Sequence, residues 1–94
     1  MRFLVQHQAA LSDSAMQMPE VDYASDLSRG GLFISTRKPM TPKETLHVQF
    51  APRKDAQLIS AFCRVKEVRP DGVAAEFVAL DAEAEQLIAS ALTA

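Results

Sequence analysis

The feature that most constrains this chain is a two-residue alternation of apolar and polar side chains over most of its first 80 residues. It is clearest at 46–50 and 59–66, where aliphatic or aromatic residues alternate with polar ones. This period places successive side chains on opposite faces of a strand, one toward a core and one toward water. The first four fifths of the chain are therefore predicted to be β-structure.

Turn residues separate the predicted strands at short intervals, at 39–43, 51–55 and 70–72. Asp71-Gly72 is a favoured pair for a hairpin turn. Short strands with regular turns predict a small antiparallel barrel or sandwich, and closure into a barrel would remove exposed sheet edges. The strands predicted from the pattern are 3–11, 21–25, 32–34, 46–50, 59–66 and 73–77.

The period changes to that of a helix near the end of the chain, and the spacing predicts a helix over 82–92. Asp81 is the predicted cap, and Glu83 and Glu85 suit the positive end of the helix. A helix of about 11 residues is marginal alone, so it is predicted to pack on the sheet, with a partner as the alternative. One apolar face joins Leu80, Ala84, Leu87, Ile88, Ala91 and Leu92.

Length and composition predict one domain over 1–94, because 94 residues with 48% hydrophobic content can build only one core. The net charge of -2 argues against a DNA or RNA packaging protein. A lone cysteine excludes a disulfide scaffold and a cysteine-rich zinc site. The apolar stretch after Met1 is only three residues long, so we expect a cytoplasmic chain with no membrane insertion.

Charge is unevenly distributed along the chain: residues 1–28 carry net -3, residues 29–69 net +6 and residues 70–94 net -5. A basic middle suits a small anionic ligand better than a long polyanion. The same charges are also explained as a solvated surface that serves only solubility.

No pattern of catalytic or metal-ligating residues is present, so we expect no enzyme activity, no metal and no cofactor. His7 and His47 lie 40 residues apart in strand patterns and are interpreted as surface histidines. Cys63 lies on the apolar face of its strand and is predicted to be a buried, inert thiol.

The segment 26–31 carries a carboxylate, a hydroxyl, a cation and two glycines directly before an apolar strand. Asp26 can accept hydrogen bonds from a donor edge such as that of guanine, and Ser28 can both donate and accept. Arg29 supplies a cation, and Gly30 and Gly31 allow a ligand to approach the backbone closely. The alternative is a turn in which Asp26 and Ser28 bond only local backbone groups.

Asp26-x-Ser28-x-x-Gly31 followed by Leu-Phe-Ile resembles the D/N-x-S-x-x-G signature of PilZ domains, bacterial barrels that bind cyclic di-GMP. The resemblance covers roughly residues 21–90, including a proline-containing turn, a long strand at 58–68, a closing strand at 72–77 and a final helix. It implies an all-β fold, a small six-stranded antiparallel PilZ-type barrel with a C-terminal α-helix.

One departure from the family pattern concerns the R-x-x-x-R motif, whose arginines grip phosphates and guanine edges. Arg2 is the one arginine upstream of the signature, and Gln6 stands four residues after it. Arg2 either occupies the position of the second arginine of the motif or is a frayed terminal residue. Arg29, Arg37 or Lys38 could compensate, or could be ordinary solvated charges. The resemblance implies a degenerate cyclic di-GMP site formed by Arg2, Asp26, Ser28, Arg29, Gly30 and Gly31.

Two functions follow from the resemblance. The first is a cyclic di-GMP-binding signalling domain that regulates a partner protein allosterically. The alternative is a nucleotide-independent adaptor that binds a protein in motility or type IV pilus regulation, through the barrel face or the helix face at 87–92. The partner protein and the oligomeric state are left open.

Overall fold

The computed structural model describes residues 2–9, 19–51 and 57–93 of the 94-residue chain. Its described part contains six strands and one helix, and all strand pairs are antiparallel. The strands close into a barrel in the order β1-β2-β3-β6-β5-β4. The predicted six-stranded antiparallel barrel with a C-terminal helix is therefore confirmed. The elements are β1 Phe3–Ala9, β2 Glu20–Ser25, β3 Gly31–Ser35, β4 Thr45–Phe50, β5 Ile59–Arg69, β6 Gly72–Ala79 and α1 Ala82–Thr93.

Most predicted strand limits agree with the structure to within one or two residues. The first predicted strand, 3–11, ends at Ala9, and its last two residues lie outside the described part of the chain. Most of the predicted turn at 51–55 also lies outside it. Two pairings join strands that are distant in sequence, β1 with β4 and β3 with β6, and these close the barrel.

The core consists of the inward faces of the strands, as the alternation predicts. Along β5 buried and exposed residues alternate from Ile59 to Lys66, and the last three residues of the strand are exposed. The ring of Phe50 lies at the centre, 5.4 Å from that of Phe3 and 6.2 Å from that of Phe77. Cys63 is fully buried in this core, as predicted, and burial raises the pKa of its thiol to about 12.

The helix α1 packs on the barrel. The carboxylate of Asp81 accepts a hydrogen bond from the backbone N–H of Ala84 at 2.7 Å, which confirms the predicted cap. Ala84 and Ile88 are buried in the same cluster as the barrel core, and Leu80 and Leu87 pack against it. No helix in the described part of the chain has the length and apolar character needed to span a membrane.

The interpretation of His7 as a surface residue is wrong. His7 is 1% exposed, and its Nε2 lies 2.8 Å from Oδ2 of Asp22, while its buried Nδ1 has no hydrogen-bond partner. It shares the inward face of β1 with Val5, a position that the two-residue period itself assigns. His47 is half-buried on β4, with its ring 5.1 Å from that of Phe62.

Candidate functional site

The turn between β2 and β3 begins at Asp26, whose backbone lies in the left-handed region with φ of 55°. Among L-residues, aspartate and asparagine adopt this conformation more readily than most because their short polar side chains bond nearby backbone groups. The left-handed backbone therefore explains why an aspartate occupies this exposed position. Its carboxylate is also available at the surface as a hydrogen-bond acceptor.

Ser28 closes the same turn through four hydrogen bonds, three made by its side chain and one by its backbone. The backbone N–H groups of Gly30 and Gly31 each donate to Ser28 Oγ at 3.2 Å, and the hydroxyl donates to the carbonyl oxygen of Gly31 at 3.3 Å. The backbone N–H of Ser28 donates to that carbonyl at 2.9 Å. The serine therefore fixes the shape of the turn. This agrees with the alternative in which its side chain bonds local backbone groups.

The two glycines of the turn differ in their surroundings. Gly31 is buried and paired with Glu76, and a Cβ atom there would collide with the carbonyl oxygen of Ala75. Gly30 is exposed, and a Cβ there would lie in largely open space, 3.9 Å from Ser28 Oγ. Gly31 thus allows β3 to lie close to β6, whereas Gly30 leaves the backbone of the turn open to approach.

A cavity of about 370 Å³ lies between this turn and strands β5 and β6. It places two β5 cations, Lys66 and Arg69, beside the signature turn. Sequence reasoning did not select these two residues. The only sequence signal for them was the basic middle of the chain. The polar or glycine residues that line the cavity are Asp26, Ser28, Gly30, Gly31, Lys66, Arg69 and Glu76.

Arg69 is held by two contacts. Its Nη2 donates to Oε2 of Glu67 at 3.0 Å, and its guanidinium lies 5.4 Å from the ring centroid of Phe33 on β3. The hydrogen bond and charge of Glu67 raise the pKa of Arg69, with smaller contributions from Asp71 and Asp26. Asp26 and Arg69 line the same cavity. The same hydrogen bond lowers the pKa of Glu67.

Arg2 lies on the outer face of the barrel, with its guanidinium 4.6 Å from the ring centroid of Tyr23 on β2. The β1–β2 register pairs Leu4 with Tyr23, so this face is shared by both strands. Arg2 therefore has a specific cation–π partner, although it does not line the cavity beside the turn.

The other cations near the signature line different cavities. Arg29 borders a cavity of about 390 Å³ against α1, with Leu80 and Glu85. Arg37 and Lys38 border a cavity of about 690 Å³ together with Asp22. The structure thus brings Asp26, Ser28, Gly30 and Gly31 together in one site and directs Arg29 toward the helix.

Among the residues that the structure describes, no three His, Cys, Asp or Glu side chains are grouped so that they could hold a metal ion. The site is instead a mixed one, with two carboxylates and two cations around open backbone. Such a combination can bind a small ligand that has both donor groups and anionic groups.

Fold and site together define a small binding domain, a closed antiparallel barrel with a glycine-containing turn beside a polar cavity. A family model described as the PilZ domain matches residues 1–94, the whole chain. The chain therefore belongs to the PilZ domain family, whose members are binding or adaptor domains rather than enzymes. Searches of curated proteins and of solved structures found no match.

Proposed function

We propose that the chain is a PilZ-type cyclic di-GMP-binding domain with a degenerate site, which regulates a partner protein allosterically. The observation that carries this proposal is the signature turn, with Asp26 beside a cavity that also holds Lys66 and Arg69. Carboxylates accept from the donor edge of guanine, and cations bind phosphate. The cavity volume of about 370 Å³ also lies within the usual range for small-molecule sites.

The site residues have distinct proposed roles. Asp26 accepts hydrogen bonds from a guanine base, and the open backbone at Gly30 allows the ligand close approach. Ser28 and Gly31 keep the turn in shape, by hydrogen bonds and by close packing on β6. Arg2 contacts a phosphate or a base from the outer face of β1, where Tyr23 holds it.

Residues of the same turn border two different cavities, which supports a route by which ligand binding reaches a partner protein. Asp26 and Gly30 line the polar cavity, while Arg29 between them borders the cavity at α1. A ligand that shifts the turn would therefore change the surface formed by Arg29 and the helix. This gives a domain without its own chemistry a way to signal, provided that the ligand binds the two states differently. We also propose that the domain acts in the cytoplasm.

The test is isothermal titration with cyclic di-GMP of the wild type and of Asp26→Gly and Arg2→Ala. Asp26→Gly removes the carboxylate but tolerates the left-handed backbone, so a loss of affinity reports on the ligand contact. We expect each variant to bind about 10- to 100-fold more weakly. Arg37→Ala, in another cavity, is the matched control and should bind like the wild type. Wild-type affinity in both site variants would contradict the proposed site.

The second candidate is a nucleotide-independent adaptor. It is favoured by the exposed apolar side chains Leu4 and Val21, each 57% exposed on the neighbouring strands β1 and β2. Exposed apolar groups on adjacent strands are typical of surfaces that another protein covers. The engagement of the Ser28 hydroxyl within its turn also fits this candidate.

The adaptor candidate predicts that Leu4→Asp abolishes binding of the partner protein whether or not cyclic di-GMP is added. Leu58→Asp is the matched control, because Leu58 is equally exposed but precedes β5 elsewhere on the surface. Partner binding that depends on cyclic di-GMP and survives Leu4→Asp would contradict the adaptor candidate and support the signalling one.

A further inference from the structure

We propose that Arg69, with Lys66 beside it, is the second cationic clamp of the nucleotide site, supplied by β5 rather than by an arginine near the N-terminus. This inference rests on the proposed function and deepens it. Two residues outside the signature turn thereby contact the phosphates and bases of the ligand.

Arg69 has two contacts that restrict its side chain. The Cζ atom of its guanidinium lies 5.4 Å from the centroid of the Phe33 ring, and Glu67 accepts one of its N–H groups at 3.0 Å. Its side chain is still 49% exposed, so a ligand can reach it. A planar guanidinium can make two parallel bonds to a phosphate and can stack on a base.

Two arginine–aromatic pairs lie on the outer side of the two strands that the turn connects. Arg2 lies over Tyr23 on β2, and Arg69 lies over Phe33 on β3. The β2–β3 register pairs Tyr23 with Ser35 and Ser25 with Phe33, so both aromatic residues project from one side of this strand pair. Asp26 follows directly at the end of β2. A ligand with two phosphates and two bases can present one phosphate and one base to each arginine.

The mixed charge of the cavity selects among anions. Asp26 and Glu76 line it together with Lys66 and Arg69, so a simple anion would meet as much repulsion as attraction. A guanine nucleotide has both a donor edge for a carboxylate and phosphates for the cations. The site is therefore expected to bind guanine nucleotides that carry more than one phosphate, and not inorganic phosphate.

Titration of the full chain with cyclic di-GMP tests the role of Arg69. We expect Arg69→Ala to weaken binding by about 10- to 100-fold, and Arg69→Lys to recover only part of the loss, because lysine lacks the planar fork. Glu67→Gln breaks the same ion pair but leaves the arginine and removes a competing carboxylate. It should bind as tightly as the wild type or a few-fold more tightly. Inorganic phosphate should neither bind nor compete at millimolar concentration.

The outcomes separate the two proposals. If the wild type binds and Asp26→Gly weakens binding while Arg69→Ala does not, Arg69 has no role and only this inference fails. If Glu67→Gln weakens binding as much as Arg69→Ala, the pair is merely structural, and the inference again fails. If the wild type does not bind cyclic di-GMP at all, both proposals fail. Thermal unfolding of each variant identifies changes due to lost stability, which should be small for an exposed ion pair.

Discussion

Asp26 combines a backbone requirement with a possible ligand contact, and the two can be measured separately. Alanine in its left-handed conformation is strained, whereas glycine is not. We predict that Asp26→Ala lowers the free energy of unfolding by about 1 kcal/mol, while Asp26→Gly leaves it nearly unchanged. Urea denaturation of the three proteins checks this. Equal stability of the alanine and glycine variants would show that the left-handed backbone places no constraint on this residue.

Cys63 gives a prediction that depends on pH. Because burial raises its pKa from 9.0 to about 12, the thiol stays protonated in the folded protein at pH 8–9. We predict that a thiol-specific reagent modifies it only after unfolding, at a rate set by opening of the core. The unfolded chain loses this proton above about pH 9, so stability should fall as the pH rises from 9 toward 12. Rapid modification of the native protein would contradict the buried position.

At the scale of elements, the close approach of β3 to β6 depends on one glycine. A Cβ on Gly31 would meet the backbone of Ala75, which cannot move without disturbing the sheet. We predict that Gly31→Ala costs about 1–3 kcal/mol or more, whereas Gly30→Ala, in open space, changes stability little. Thermal unfolding of the two variants is the measurement. A stable Gly31→Ala variant would mean that β3 and β6 can separate without cost.

Most elements could be predicted because their determinants are local. The alternation along β5 depends only on which face each residue occupies, and the Asp81 cap depends on residues three positions apart. The surface prediction for His7 is wrong because it follows the residue type and not the position of His7 in phase with Val5. The period was the better guide, since a strand cannot turn one side chain alone to its other face.

The site was only partly predictable for a related reason. Asp26, Ser28 and Gly31 lie within one turn, so their sequence spacing already brings them together. Arg69 reaches the same site only because β6 pairs with both β3 and β5, which brings the end of β5 beside Phe33. That proximity is a property of the closed barrel, and no short motif records it. Arg29, although within the signature, instead borders the helix.

At the scale of the whole molecule, closure of the barrel brings residues from three distant parts of the chain to one face. Arg2 comes from the acidic N-terminal segment, and Arg69 from the basic middle. The signature turn connects β2, whose Tyr23 contacts Arg2, with β3, whose Phe33 contacts Arg69. We therefore expect a chain with net charge -2 to bind a dianion through the local placement of a few cations, not through its overall charge.

The most direct measurement is isothermal titration of the wild-type chain with cyclic di-GMP at low and at physiological salt. We predict a dissociation constant near micromolar, or about -8 kcal/mol, and an affinity that weakens as salt screens the contacts between arginines and phosphates. No heat of binding, with no thermal shift at high ligand concentration, would contradict it. The signature turn would then be purely structural, and the exposed face of β1 and β2 would become the surface to study.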